Sequence, residues 1–146
     1  MSVFEYNFEQ YKSLSPDLYR KEKYNLQVEL LKLQEDVIKK KRKIAICFEG
    51  RDTAGKSSTI NFFSEHLIPS NFNYVHLGIP TKKERKNWFE RYETYLPNKG
   101  QIVLFDRSWY TRALTEPTLG YCSKKQYEEF MTKVNKWEKS LSLIHI

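Results

Sequence analysis

Cysteine is scarce in this chain: Cys47 lies in an apolar run and Cys122 in a turn-rich stretch, with no CxxC spacing and no histidine cluster nearby. That leaves no signal for zinc or a catalytic thiol, and both read as ordinary reduced cysteines. Long apolar runs are missing as well, none approaching the roughly 20 residues that cross a bilayer. The first residues, with Glu5, Glu9, Lys12 and Asp17, hold no basic region followed by an apolar signal core. A cytoplasmic protein without a membrane partner is expected. Internal repeats and low-complexity tracts are also lacking. The basic run at residues 39–43 is too short to be a tail and reads as a solvated helix end favoured by the helix dipole.

What is present suffices for a core. With 40% hydrophobic residues, 15% of the chain being aromatic, the 146 residues can bury one, and a single domain over 1–146 is expected. The net charge of +7 calls for an anionic partner. Polyphosphate, nucleotide, nucleic acid and acidic membrane would each satisfy that charge.

The apolar pattern alternates between helical and strand-like. Leu26, Leu30, Leu33 and Val37 recur at helical spacing, predicting a leading amphipathic helix over about 20–41. Ile44 to Phe48 is a continuous apolar run, as a strand covered on both faces requires, and Gly50 punctuates it. Ser58 to Leu67 reads as a helix and Tyr74 to Leu77 as a strand. Thr81 with Glu84 is a capping-box pair opening a helix whose face is Trp88, Tyr92 and Leu96. Ile102 to Phe105 is a further buried strand. Ser123 with Gln126 caps a last helix striped by Tyr127, Phe130, Met131, Val134 and Trp137. The order predicts an open three-layer α/β arrangement.

Chemistry concentrates in two places. Gly50, Arg51, Asp52, Thr53, Ala54, Gly55, Lys56 and Ser57 satisfy GxxxxGK[ST], the Walker A loop, between a strand and a helix. Small residues let successive amides curl around phosphate oxygens, and the helix N-terminus adds oriented donors. Lys56 brings a mobile positive charge, and Ser57 can reach a phosphate-bound magnesium ion. Ile102 to Asp106 is Walker B-like, setting a carboxylate at a strand's C-terminal end, where open α/β sheets bind ligands. Asp106 is the expected magnesium partner. A carboxylate within an anion-binding loop repels phosphate unless a cation intervenes, so Asp52 also points to magnesium-bridged chemistry. Arg107 and Arg112 can grip phosphate oxygens, although Arg112 could instead pair with Glu116. Trp109 and Tyr110 are expected to pack beneath the site.

The stretches Phe48 to Ser57 (FEGRDTAGKS), Leu77 to Thr81 (LGIPT), Trp88 to Tyr92 (WFERY), Leu96–Pro97 and Phe105 to Arg112 (FDRSWYTR) together resemble the polyphosphate kinase 2 family, from about Tyr24 to Glu138. The resemblance implies a P-loop nucleoside-triphosphate-hydrolase-like fold, a three-layer sandwich around a parallel sheet. It implies magnesium-dependent, direct transfer of a terminal phosphoryl group between inorganic polyphosphate and a nucleoside mono- or diphosphate. Asp52 and Asp106 then fall on magnesium-linked catalytic positions, and Lys56, Arg107 and Arg112 on phosphate-binding ones. Residues 113–123 resemble the start of the family's lid, in which Leu114 has no role. Ser57 and Ser58 stand where many members carry glycine after the lysine.

Similarity fades after Glu138, so a C-terminally shortened, incomplete sheet with little activity is expected. Ile44 to Phe48 would then have an open edge, a route to a homo-oligomer, which the short apolar stretch Leu141 to Ile146 could cover. Rival readings are a conventional ATP-dependent nucleotide or nucleoside kinase and a non-catalytic phosphate-binding or subunit-interaction fragment. A nucleic-acid module has only the charge and the basic runs at 39–43 and 82–86 behind it, with no RNA or DNA motif, so no nucleic-acid partner is expected.

Overall fold

In a computed structural model, residues 14–141 are described; Ser142–Ile146, most of the stretch expected to cover the open edge, lie outside them. Helix α1 spans Pro16–Lys39, a few residues earlier than its apolar spacing predicts. Ser15 starts it by accepting a hydrogen bond from the Leu18 amide, with Pro16 in the first turn where a missing N–H costs nothing. Its inward face differs from the expected one. Leu26 and Leu33 are exposed, whereas Gln27, Gln34 and Val37 are buried. The glutamines earn their burial through backbone partners: Gln34 accepts from Ile68 N–H at 2.6 Å and donates to the Ile68 carbonyl at 3.0 Å. Gln27 donates to the Phe62 carbonyl and to Glu65. Such bonds remove the penalty for burying a polar group.

Strand β1 (Lys43–Phe48) leads through the glycine-bearing loop to helix α2 (Lys56–Ser64). Strand β2 (Phe72–Val75) begins and ends two residues before the predicted strand. Its register decides this: Phe72 to Val75 lie opposite Ile102 to Phe105 of β3 (Gln101–Asp106), so β2 runs only alongside β3's core. The sheet is parallel throughout, in the order β1-β3-β2. Among the described residues, one edge of β1 has no neighbouring strand.

The predicted helix after Thr81 is two short ones, α3 (Lys82–Lys86) and α4 (Glu90–Glu93). Both hydrogen bonds of the Thr81–Glu84 capping box are present. Asn87, at φ −109° and ψ 62°, leaves helical geometry, and Trp88 is buried with its indole N–H donating to the Trp109 carbonyl at 2.9 Å. After β3 come a 3-10 turn (Trp109–Arg112), the short helix α5 (Thr115–Thr118) and α6 (Lys124–Ser140), opened by the expected Ser123–Gln126 box.

Alternation along β3 builds a core on each face of the sheet. Ile102 and Leu104 pack with Val37, Ile44 and Ile60 under α1 and α2. Val103 and Phe105 pack with Trp88, Tyr92, Trp109, Phe130 and Val134 under α4 and α6. Helices thus cover both faces of a parallel sheet, the three-layer α/β architecture.

Candidate functional site

Register brings the Walker A loop and the Walker B-like strand together. Phe48, the last residue of β1, lies opposite Asp106, the last residue of β3, so the loop from Gly50 starts beside the carboxylate. Gly55 caps α2 at φ 86°, a conformation that disfavours a side chain, and Thr53 is also left-handed at φ 63°. These reversals turn the loop over the N-terminus of α2, where unsatisfied amides and the helix dipole favour an anion. Lys56 lies along the loop, donating to the Gly50 carbonyl at 3.2 Å and the Arg51 carbonyl at 2.8 Å. Thr59 ties the first turn back to the Gly55 carbonyl.

Asp106 is 4% exposed, and three groups converge on its Oδ2. Ser57 Oγ donates at 3.1 Å, Tyr74 OH donates at 3.0 Å and His76 Nδ1 lies at 3.7 Å. Burial, then the hydrogen bond to Asp106, pushes the Tyr74 phenol up, so it remains a donor at neutral pH. Neither Tyr74 nor His76 was expected here from sequence. Their spacing of two within the predicted run Tyr74 to Leu77 was the available signal, since extended chain puts both on one face; His76 lies just past the end of β2.

Asp52 and Arg107 meet across the loop: Arg107 Nη2 donates to Asp52 Oδ1 at 2.5 Å, while Nη1 donates to Thr115 Oγ1 at 2.8 Å. Arg107 has φ 65°, which costs a residue with a Cβ about 1–2 kcal/mol. Its amide donates to the Phe48 carbonyl at 3.1 Å, and the next residue, Ser108, donates through N–H and Oγ to Glu49. Arg51, Ala54 and Ser58 belong to the loop and the exposed first turn of α2.

Arg112 is not brought to the loop. It is 1% exposed, with Nε 3.1 Å from Glu116 Oε2 and its guanidinium 3.9 Å from the centre of the Trp88 ring. This is the internal pair that the sequence left open. Burial pushes the Glu116 carboxyl up despite the opposing charges of Arg112, Arg85 and Arg91. Trp109 packs in the core as expected, and Tyr110 lies partly buried against it. Burial pushes the Cys47 thiol up to about 12, so it is protonated and inert as a nucleophile. A cleft of about 480 Å³ opens beside the site, and Asp52, Asp106 and Arg107 line it together with Leu77, Ile79 and Tyr121.

The sequence model described as polyphosphate kinase 2 matches residues 13–145. The chain belongs to the polyphosphate kinase 2 family. It is 48% identical over 124 residues to a GDP-polyphosphate phosphotransferase of Mycolicibacterium smegmatis, covering 84% of this chain and 44% of that protein. Over 130 residues it is 45% identical to an ADP-polyphosphate phosphotransferase of Pseudomonas aeruginosa, covering 88% and 43% respectively. A solved Pseudomonas aeruginosa chain described as a polyphosphate kinase 2 superposes with a TM-score of 0.80 at 29% identity, over 93% of this chain and 30% of that one. The chain therefore spans less than half the length of these polyphosphate kinase 2 relatives. Among the described residues no helix is long and apolar enough to cross a membrane.

Proposed function

We propose that residues 1–146 form one P-loop kinase-like domain that holds the phosphates in a polyphosphate:nucleotide phosphotransferase. The reaction moves a terminal phosphoryl group between inorganic polyphosphate and a nucleoside mono- or diphosphate. A phosphorus–oxygen bond at the polyphosphate end breaks as one forms to the nucleotide's terminal phosphate oxygen, with no covalent enzyme intermediate. The carrying observation is the contact of Ser57 with Asp106 beneath a glycine-turned loop at the N-terminus of α2. The names of the relatives supply the substrate class.

Each residue has a task in this proposal. The amides from Gly50 to Ser58, with Thr53, Ala54 and Gly55 setting the curl, cradle phosphate oxygens. Arg51 adds charge at the rim. Lys56 exchanges the loop carbonyls for a phosphate oxygen. Arg107 leaves or shares Asp52 to balance charge on the group in transfer. Arg112, held by Glu116, acts by packing the wall behind the cleft.

The donor set suits magnesium. Ser57 and Asp106 offer hard oxygens, and no cluster of three or more histidine, cysteine, aspartate or glutamate residues forms a cage among the described residues. One or two carboxylates completed by substrate phosphates and water is how magnesium is usually bound. Asp106 and Ser57 would hold it directly, with Asp52 nearby, and it would neutralise charge on the phosphates. The cytoplasm, where nucleotides and reduced thiols coexist, is the proposed compartment. The edge of β1 that has no neighbouring strand among the described residues suits assembly with a further copy.

Competition binding tests the substrate class. Polyphosphate of three or more units should bind the chain with magnesium and compete with ATP for the loop. A chain that binds ATP but ignores polyphosphate would favour a conventional ATP-dependent kinase and overturn the proposal.

A further inference from the structure

Glu49 is the single residue between β1 and Gly50. Its Oε1 accepts two hydrogen bonds from fully buried Ser108, from the amide at 2.6 Å and from Oγ at 2.8 Å. Its Oε2 is shielded from solvent with no partner. A carboxylate is an expensive group to leave half bonded, but its charge roughly doubles the strength of the bonds it does accept. Those bonds fall at a particular place. The Ser108 amide belongs to the peptide immediately after Arg107, the residue in left-handed geometry at φ 65°. The amide immediately before it, that of Arg107 itself, donates to the Phe48 carbonyl at 3.1 Å. Consecutive residues at the end of β1 thus clamp both peptides flanking Arg107.

We propose that Glu49 is a positioning residue that fixes the turn at Arg107 and so presents its guanidinium across the phosphate loop to Asp52 and Thr115. The downstream chain has its own anchor. Glu138, on α6, accepts from the Trp109 indole N–H at 2.8 Å and from the Tyr110 hydroxyl at 2.5 Å. Loss of Glu49 therefore frees the Arg107 turn while Trp109 and Tyr110 remain held. Reach matters more than charge in this device. Aspartate retreats by about one carbon–carbon bond, roughly 1.5 Å, and loses Ser108, whereas glutamine keeps an acceptor oxygen at the same distance.

The inference rests on the phosphate-binding role proposed for Arg107, and two readouts separate them. The first needs no ligand: amide hydrogen exchange of the chain in Glu49→Ala, Glu49→Asp and Glu49→Gln. Exchange at Ser108 should quicken at least about tenfold in the alanine and aspartate variants, clearly less in the glutamine variant, which keeps a neutral acceptor within reach, and be unchanged at Leu104 in all three. An equal rise at Ser108 and Leu104, or an aspartate variant like wild type, overturns the proposal. The second is calorimetric titration with magnesium tripolyphosphate in a double-mutant cycle. Glu49→Ala should weaken binding about tenfold alone and by less than about twofold when Arg107 is already alanine, yet keep its full effect when Lys56 is alanine. Multiplicative loss with Arg107→Ala overturns it. Should Glu49→Ala not fold, the aspartate variant takes its place in the cycle. A wild-type chain that ignores tripolyphosphate would sink the role given to Arg107, while the exchange comparison still decides whether Glu49 fixes the turn.

Discussion

Ser57 Oγ and Asp106 Oδ2 are hydrogen bonded at 3.1 Å although 49 positions separate them in the chain. The parallel register of β1 and β3 makes the contact, because it ends both strands at the same level. One residue comes from the first turn of α2, the helix proposed to receive the anion, and the other from the strand beside it. A cation held by this pair would sit at the phosphates.

Asp106→Asn keeps the shape of the side chain and an oxygen that Ser57 and Tyr74 can still reach, but removes the charge. The melting temperature should stay within about 3 °C of wild type, near a 1 kcal/mol change. Magnesium should then enhance tripolyphosphate binding about tenfold less, since metal attraction has lost its carboxylate. Calorimetry across a magnesium series checks this, and an unchanged enhancement counts against Asp106 as the metal partner.

Lys56→Ala removes the ammonium that lies on the Gly50 and Arg51 carbonyls. Charge-assisted bonds contribute about 1.5–3 kcal/mol, so tripolyphosphate affinity should fall about 10- to 100-fold. Equal affinity in a parallel titration would mean that the lysine faces something other than phosphate.

Arg112 and Glu116 should behave as a structural pair. Their side chains are 2% and 4% exposed, and removing one partner leaves the other charged and buried. Arg112→Ala should cost about 3–5 kcal/mol and lower the melting temperature by about 10 °C. The double change Arg112→Met with Glu116→Leu should lose less than either single alanine. A single variant with wild-type melting but weakened phosphate binding would return Arg112 to the ligands.

Acid should loosen the segment before the cleft. Hydrogen bonds from the Thr81 side chain and then its backbone hold the Glu84 carboxyl below its usual 4.5. A carboxyl lowered in the folded state adds stability above its unfolded value, and that stability disappears as pH falls through the folded one. Glu116 runs the other way: raised by burial, its contribution is full below 4.5 and is lost as pH rises through its folded value. Glu84→Gln should therefore flatten the decline in melting temperature below about pH 4.5. Parallel curves for the two proteins would contradict the assignment.

Much of this architecture was legible in sequence because it rests on local signals. The runs Ile44 to Phe48 and Ile102 to Phe105 announce strands covered on both faces, and both capping boxes mark helix starts within four residues. What escaped depends on distant partners. Gln27 and Gln34 look like solvent-facing residues until their bonds to Phe62 and Ile68 are seen, which is why the buried face of α1 is rotated from the leucine spacing. The break at Asn87 follows from Trp88 turning to the Trp109 carbonyl, and β2 is placed by its register with β3. Within the site, the loop and Asp106 were readable as motifs. Tyr74, His76 and the Glu49–Ser108 clamp were not, since their contacts exist only once β1, β2 and β3 lie side by side.

The most direct test of magnesium-bridged polyphosphate binding is calorimetric titration of polyphosphate into residues 1–146 with magnesium present and again after chelation. Saturable one-site binding that weakens at least about tenfold, or 1.4 kcal/mol, on chelation is the predicted result. No binding, or binding of equal strength with and without magnesium, would contradict it.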